Sequence, residues 1–168
     1  ASIAAGINAL WGPLHGGATD GTMKMLDEIG TVEHVPAFVE KGFANKYKFP
    51  GFGHRVYTTT DPRGKFLRAF GEALSHGATG TPYFAIQEAL VAEMNKTRKM
   101  PVNVDYYAAT TYTYLGIPAD LGTSIFAIGR MAGWCAHIME QHGDNRLIRP
   151  ESEYTGPTGK TWIPLAER

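Results

Sequence analysis

Cysteine is nearly absent from this sequence: Cys135 stands alone among 168 residues. A single thiol builds neither an internal disulfide framework nor a Cys-rich zinc site, and it fits a reducing compartment. An excess of charge of one sign is missing too, since 16 basic residues meet 16 acidic ones. With no surplus of Lys and Arg to displace counterions from a phosphate backbone, nucleic acid is excluded as an expected partner. Long hydrophobic runs are also lacking. The most apolar stretch, Ser124 to Met139, is broken by Arg130 and His137 and falls short of the roughly 20 residues that cross a membrane. No His-Glu-x-x-His or similar spacing offers a metal site, and Ser124 and Ser152 lack the context of an activated nucleophile. Alternating strand-like runs are scarce, and Val102 to Tyr107 is too short to outweigh the rest.

What is present reads as an all-α globular chain. A hydrophobic content of 43% and an aromatic content of 11% exclude a disordered tail. Surface scaling predicts about 8,000 Å² exposed when folded, against about 26,500 Å² unfolded, enough burial for one core in one domain or two small lobes. Met23, Leu26 and Ile29 lie at helical spacing within Asp20 to Ile29. Phe66, Phe70 and Leu74 form a stripe four apart, and Phe84, Ile86, Leu90 and Met94 follow Pro82, which is well placed near a helix start. Thr123 to His142 is the longest helical segment expected. The opening residues Ile3, Ile7, Leu10 and Leu14 also keep helical spacing, with no basic region before them. That opening reads as a helix entered in mid-stride, so a piece of a longer polypeptide is expected. The tail from Pro150 to Arg168 is punctuated by Pro and Gly and is expected to lie extended over a surface.

Four loops marked by Gly or Pro collect the unusual side chains: Trp11 to Gly17, Phe49 to Tyr57, Asp61 to Arg63, and Pro101 to Asp105. His15 precedes two glycines and His54 follows Pro50-Gly-Phe-Gly53. Glycines let a backbone approach a ligand, and a His on such a turn can present a ring nitrogen to it; a plain loop histidine is the competing reading. Asp105 lies between Val104 and the Tyr106-Tyr107 pair. Burial there would raise its pKa and make it a usable base, while a helix N-cap is the alternative. Arg130 interrupts the most apolar helix with no acid three or four positions away, so it either meets an anion or reaches solvent. With Arg63 and Arg149, the set of two His, one Asp and three Arg suggests acid–base chemistry on a substrate carrying several carboxylates. His34, His76 and His142 read as surface residues, His137 as a satisfied buried histidine, and Cys135 as packing.

Six segments together, in order, resemble the C-terminal part of citrate synthases of the bacterial and archaeal type. They are Leu10-Trp-Gly-Pro-Leu-His-Gly-Gly17, Gly51-Phe-Gly-His-Arg-Val-Tyr57 with Asp61-Pro-Arg63, Asn103-Val-Asp-Tyr-Tyr107, Phe126-Ala-Ile-Gly-Arg130, Gly133-Trp-Cys-Ala-His137 and Arg146-Leu-Ile-Arg-Pro150. The resemblance implies an all-α, multi-helix fold of a large and a small domain. Roughly residues 17–120 would be small-domain-like and roughly 121–168 would return to the large domain, with the family's N-terminal half absent. It implies condensation of acetyl-CoA with oxaloacetate and water to give citrate and CoA. Asp105 would be the base, His15 the partner of the thioester oxygen, and His54 the group polarising the keto carbonyl. Arg63, Arg130 and Arg149 would clamp the dicarboxylate, Arg149 from a partner subunit, with Phe126 beside it. Pro50, Gly51, Phe52 and Gly53 would contact the CoA adenine, with Asn103 nearby. The resemblance further implies a cytoplasmic homodimer with no tightly bound cofactor, acetyl-CoA being a co-substrate. Thr58 departs from the basic residue common after His-Arg-Val-Tyr, which leaves the CoA phosphate contacts either weaker or supplied elsewhere. Two other readings stand beside this one: a 2-methylcitrate synthase using propionyl-CoA, and a non-catalytic helical module that binds CoA or a partner.

Overall fold

The computed structural model describes residues 1–12 and 15–168. Pro13 and Leu14, the latter completing the expected opening stripe, lie outside the described residues. Among the described residues the protein is all-α, with seven helices: α1 (Ser2–Leu10), α2 (Ala18–Ile29), α3 (Val35–Ala44), α4 (Gly64–Ser75), α5 (Tyr83–Thr97), α6 (Val104–Tyr114) and α7 (Gly122–Gly143). The only strand-like pairing described is one antiparallel bridge between Phe52 and Val102. No described helix is long and apolar enough to cross a membrane.

The core lies where α2, α3, α5 and α6 meet. Leu26 and Ile29 of α2, Val35 and Val39 of α3, and Ile86, Leu90 and Met94 of α5 are buried together with Tyr106 of α6. Helical spacing in α2 and α5 turns these side chains to one face, and burial of each contributes about 1.5–3 kcal/mol. α4 packs closely along α6, and α1 packs on α7. Phe49 and Phe52 leave the loop after α3 to enter the same core, edge-on to neighbouring rings.

Three local expectations are corrected. Of the short alternating run Val102 to Tyr107, only Val102 pairs as a strand would, and the residues from Val104 start α6, because Asn103 Oδ1 accepts the Asp105 N–H at 3.0 Å and caps the helix. The cap is therefore Asn103, not Asp105, whose carboxylate is left for other work. The α4 stripe of Phe66 and Phe70 faces outward, 60% and 59% exposed. α4 instead buries Gly64, Gly71 and part of Leu67, the face on which the Thr111 hydroxyl donates to the Leu67 carbonyl at 3.2 Å. His137 and Cys135, expected inside, both stand on the exposed side of α7.

The total exposed surface is 11,960 Å², well above the roughly 8,000 Å² expected of a compact chain of this mass. The surplus includes large apolar side chains on α4 and α7, Leu147 and Ile148 after α7, and Trp162 and Leu165 in the tail, all exposed. The tail from Pro150 is irregular apart from a short turn at Leu165–Glu167 and is almost wholly exposed.

Candidate active site

A cavity of about 650 Å³ opens between the start of α2, the loop after α3, the start of α6 and the middle of α7. Of the residues singled out from sequence, His15, Pro50, Gly53, His54, Arg63, Asn103, Asp105 and Arg130 line it. Gly51 and Phe52 do not: both are buried behind the wall, Phe52 edge-on to Tyr106 with ring centroids 4.8 Å apart. Phe126 lies outside the lining and packs on Tyr112. Arg149 stands exposed in the tail, also outside it.

Two distant loops are laced together to make this wall. Gly53 N–H donates to the Pro101 carbonyl at 2.8 Å, and Asn103 N–H donates to the Gly51 carbonyl at 2.9 Å. The Asn103 side-chain amide donates to the Gly53 carbonyl at 3.0 Å. Asn103 thus serves twice, capping α6 and holding the His54 loop against it.

The His54 ring is fixed by its own loop. Its Nδ1 accepts the N–H groups of Val56 and Tyr57 at 3.0 and 2.9 Å, and the ring stacks on Tyr57 with centroids 4.3 Å apart. With Nδ1 an acceptor, the proton of the neutral ring sits on Nε2, which makes His54 a hydrogen-bond donor. His15 is held oppositely: its Nδ1 lies 3.3 Å from the Ala9 carbonyl and must donate to it. A neutral His15 therefore keeps Nε2 as an acceptor. To donate from Nε2 it carries a second proton or exchanges the Ala9 contact.

Asp105 is the one carboxylate of the cavity wall. Burial pushes its carboxyl above the ordinary value, against the opposing pull of Arg63, Arg130 and His15. The acid that faces Arg130 therefore comes from another helix, which local spacing could not reveal. Arg63 is oriented by Asp61, a fully buried carboxylate that accepts Arg63 Nε at 3.0 Å, Nη2 at 2.7 Å and the backbone N–H at 2.9 Å. Those side-chain hydrogen bonds, foremost, hold Asp61 below the ordinary carboxylate value despite its burial.

A depressed folded-state pKa contributes stability that is present above the unfolded value, about 4, and is lost as pH falls through the folded one. Asp61→Asn is therefore expected to melt below the parent at pH 7, with the gap closing as the pH is lowered from about 4. Thermal melts of both proteins across that range check this. A gap that stays constant would assign the loss to packing instead of charge.

Sequence reasoning missed Asp61 as the support of Arg63, although an acid two positions before an arginine across a proline was the available signal. It also missed Lys48 and Arg55, which line the cavity beside the Pro50–His54 loop. With them the wall carries four cationic side chains against one carboxylate, a field that draws in an anionic ligand.

A family model for the citrate synthase C-terminal domain matches residues 1–151. The chain is 46% identical to citrate synthase 2 of Bacillus subtilis over 99% of its own length and 45% of the relative's. It is 34% identical over 166 residues to a 2-methylcitrate synthase of Shewanella oneidensis. Among solved structures, the citrate synthase of Thermotoga maritima superposes with a TM-score of 0.78 at 42% identity, covering 96% of this chain and 45% of that one. The citrate synthase of the archaeon Thermoplasma acidophilum, solved in ternary complex with carboxymethyl coenzyme A and oxaloacetate, gives 0.80 at 34% identity, over 99% of this chain and 46% of that one. The chain spans about half the length of the curated relatives it matches.

Proposed function

This chain belongs to the citrate synthase family, and from that premise we propose that it carries the catalytic portion of an enzyme condensing acetyl-CoA with oxaloacetate and water to citrate and CoA. The observation that carries the reading is one cavity holding a carboxylate raised by burial, a histidine whose Nε2 is a fixed donor, and two arginines. Asp105 removes a proton from the acetyl methyl group while His15, its Nδ1 contact to the Ala9 carbonyl exchanged so that Nε2 carries the proton, donates to the thioester oxygen, giving the enol. The enol carbon attacks the keto carbon of oxaloacetate, whose oxygen takes a proton from His54 Nε2. Water then cleaves the citryl thioester C–S bond, releasing citrate and CoA thiol. Each acid–base group typically contributes 10²- to 10⁴-fold. Arg63 and Arg130 bind the carboxylates, with Arg149 arriving from the second subunit of a cytoplasmic homodimer and Phe126 beside them. The exposed apolar faces of α4 and α7 support packing against further protein surface of this kind.

CoA is a co-substrate and no cofactor is held permanently. Pro50 and Gly53 meet the adenine with Asn103 beside them, while Gly51 and Phe52 back the wall, and Lys48 and Arg55 supply the positive charge that Thr58 does not. Propionyl-CoA on the same residues is the second reading, motivated by the 2-methylcitrate synthase relative at 34% identity. The higher identity to citrate synthases, 46% and 42%, favours acetyl-CoA.

The test is thiol release from acetyl-CoA by the protein at its natural length, with and without oxaloacetate, and with propionyl-CoA in parallel. Release that requires oxaloacetate and is faster with acetyl-CoA is expected. Faster release from propionyl-CoA would establish the second reading, and no release from either would overturn both.

A further inference from the structure

Behind Asp105 the core holds a polar cluster that the chemistry above does not use. Gln87 of α5 is wholly buried, as are Tyr106 and Thr110 of α6. The Gln87 side-chain amide donates to the Tyr106 carbonyl. Its oxygen accepts from Thr110 Oγ1 at 2.7 Å, and the Tyr106 hydroxyl donates back to the Gln87 carbonyl at 2.8 Å. The next residue, Glu88, accepts from the Tyr107 hydroxyl at 2.8 Å. Two consecutive residues of α5 thus grip the two residues that directly follow Asp105.

An apolar side chain of the same length would fill this space without the desolvation that a buried amide carries. What the amide adds is direction: hydrogen bonds of fixed geometry resist the rolling of one helix on another, which apolar contacts resist less. The same tyrosine reaches the other catalytic loop, since its ring packs on Phe52, two residues before His54.

We propose that Gln87 is a positioning residue for Asp105: by holding the Tyr106 carbonyl and the Thr110 hydroxyl, its amide fixes the rotation of α6 and so the aim of the carboxylate into the cavity. This rests on the condensation reading above.

The experiment compares Gln87→Met, Thr110→Val and Thr110→Ser with the parent at its natural length. It measures kcat, KM for oxaloacetate and the pH profile of kcat. Gln87→Met is expected to lower kcat about 10- to 100-fold, the scale of a small misplacement of a reacting group. KM for oxaloacetate should stay within about twofold, since Arg63 and Arg130 stand on α4 and its approach and on α7. The charged and titratable groups facing Asp105 are Arg63, Arg130, His15 and Tyr112. A re-aimed, better hydrated carboxylate moves the acid limb of the profile to lower pH. Thr110→Val should follow in the same direction less strongly, and Thr110→Ser, which keeps the hydroxyl, should run close to the parent. A lower melting temperature with parental kcat and an unmoved acid limb would reduce Gln87 to packing and overturn the proposal. If Gln87→Met does not fold, the same readings on the two Thr110 variants decide it. A parent that shows no oxaloacetate-dependent thiol release overturns the condensation reading and this proposal together; an active parent with unaffected variants overturns this proposal alone.

Discussion

Asp105→Asn is expected to lose turnover by at least a hundredfold and to gain thermal stability at the same time. The first effect follows from the proposed role of Asp105 as the base of a proton abstraction, for which 10²- to 10⁴-fold is the ordinary range. The second follows from the sign of the pKa shift. Burial raises the Asp105 carboxyl above its ordinary value. A group shifted upward contributes stability that is full below its unfolded value, about 4, and disappears as pH rises through the folded one. At pH 7 the charged carboxylate therefore works against the fold, and a neutral isostere of the same size removes that penalty. The helix loses no cap, because Asn103 supplies it. Melts at pH 7 should place the variant at or above the parent, with the difference shrinking as the pH approaches 4. Retained turnover would remove Asp105 from the role of base; a variant less stable at pH 7 would mean that Arg63 and Arg130 outweigh burial.

Gly51→Ala should be among the most destabilising single changes in the chain. Gly51 has φ of +82°, a region that L side chains rarely adopt, and a Cβ there would stand 2.6 Å from Tyr106 Cδ2 and 3.0 Å from Thr22 Oγ1. Neither neighbour can retreat, since Tyr106 is gripped by Gln87 and Thr22 donates to the Ala18 carbonyl at 2.8 Å. The backbone contributes about 1–2 kcal/mol and the overpacking about 1–3 kcal/mol. The sum, about 2–5 kcal/mol, is a large part of a typical domain's 5–15 kcal/mol. Gly53 separates the two contributions. Its φ is +78°, but nothing lies within 4 Å of its Cβ position. Gly53→Ala should therefore show only the backbone part. Chemical denaturation midpoints of the two variants measure the difference; equal losses would show that the Tyr106 contact relaxes freely.

The helices that could be read from the sequence are those whose packing face is decided by spacing. α2 and α5 turn the expected residues inward, and α7 spans Gly122–Gly143 where Thr123 to His142 was expected. α6 could not be read in this way. Its Val, Thr and Tyr residues favour strands, and the helix forms because a cap and buried contacts with α2, α4 and α5 override that preference. α3 carries Val35, Phe38, Val39 and Gly42 at helical spacing, yet Pro36 and Gly42 look like breakers. Pro36 lies in the first helical turn, where no donor is needed. The phenyl ring of Phe49 rests where a Gly42 side chain would be.

Of the site, the residues on Gly-rich loops were legible because the chain must approach something closely there. The supports were not. Gln87 looks like any surface polar residue of a helix until α6 is laid on it, and Asp61 looks like a turn residue until its burial is seen. Phe126 and Arg149 rest on the family resemblance alone, since neither touches this cavity.

The bridge between Phe52 and Val102, with the hydrogen bonds that flank it, joins segments 50 residues apart along the chain. Closing a loop of that size is slow relative to forming a helix. Neither histidine loop nor aspartate loop then has a settled shape until the other has arrived. The cavity wall is in that sense completed in one step late in folding, and a local opening that frees either side of the bridge parts the His54 loop from the start of α6.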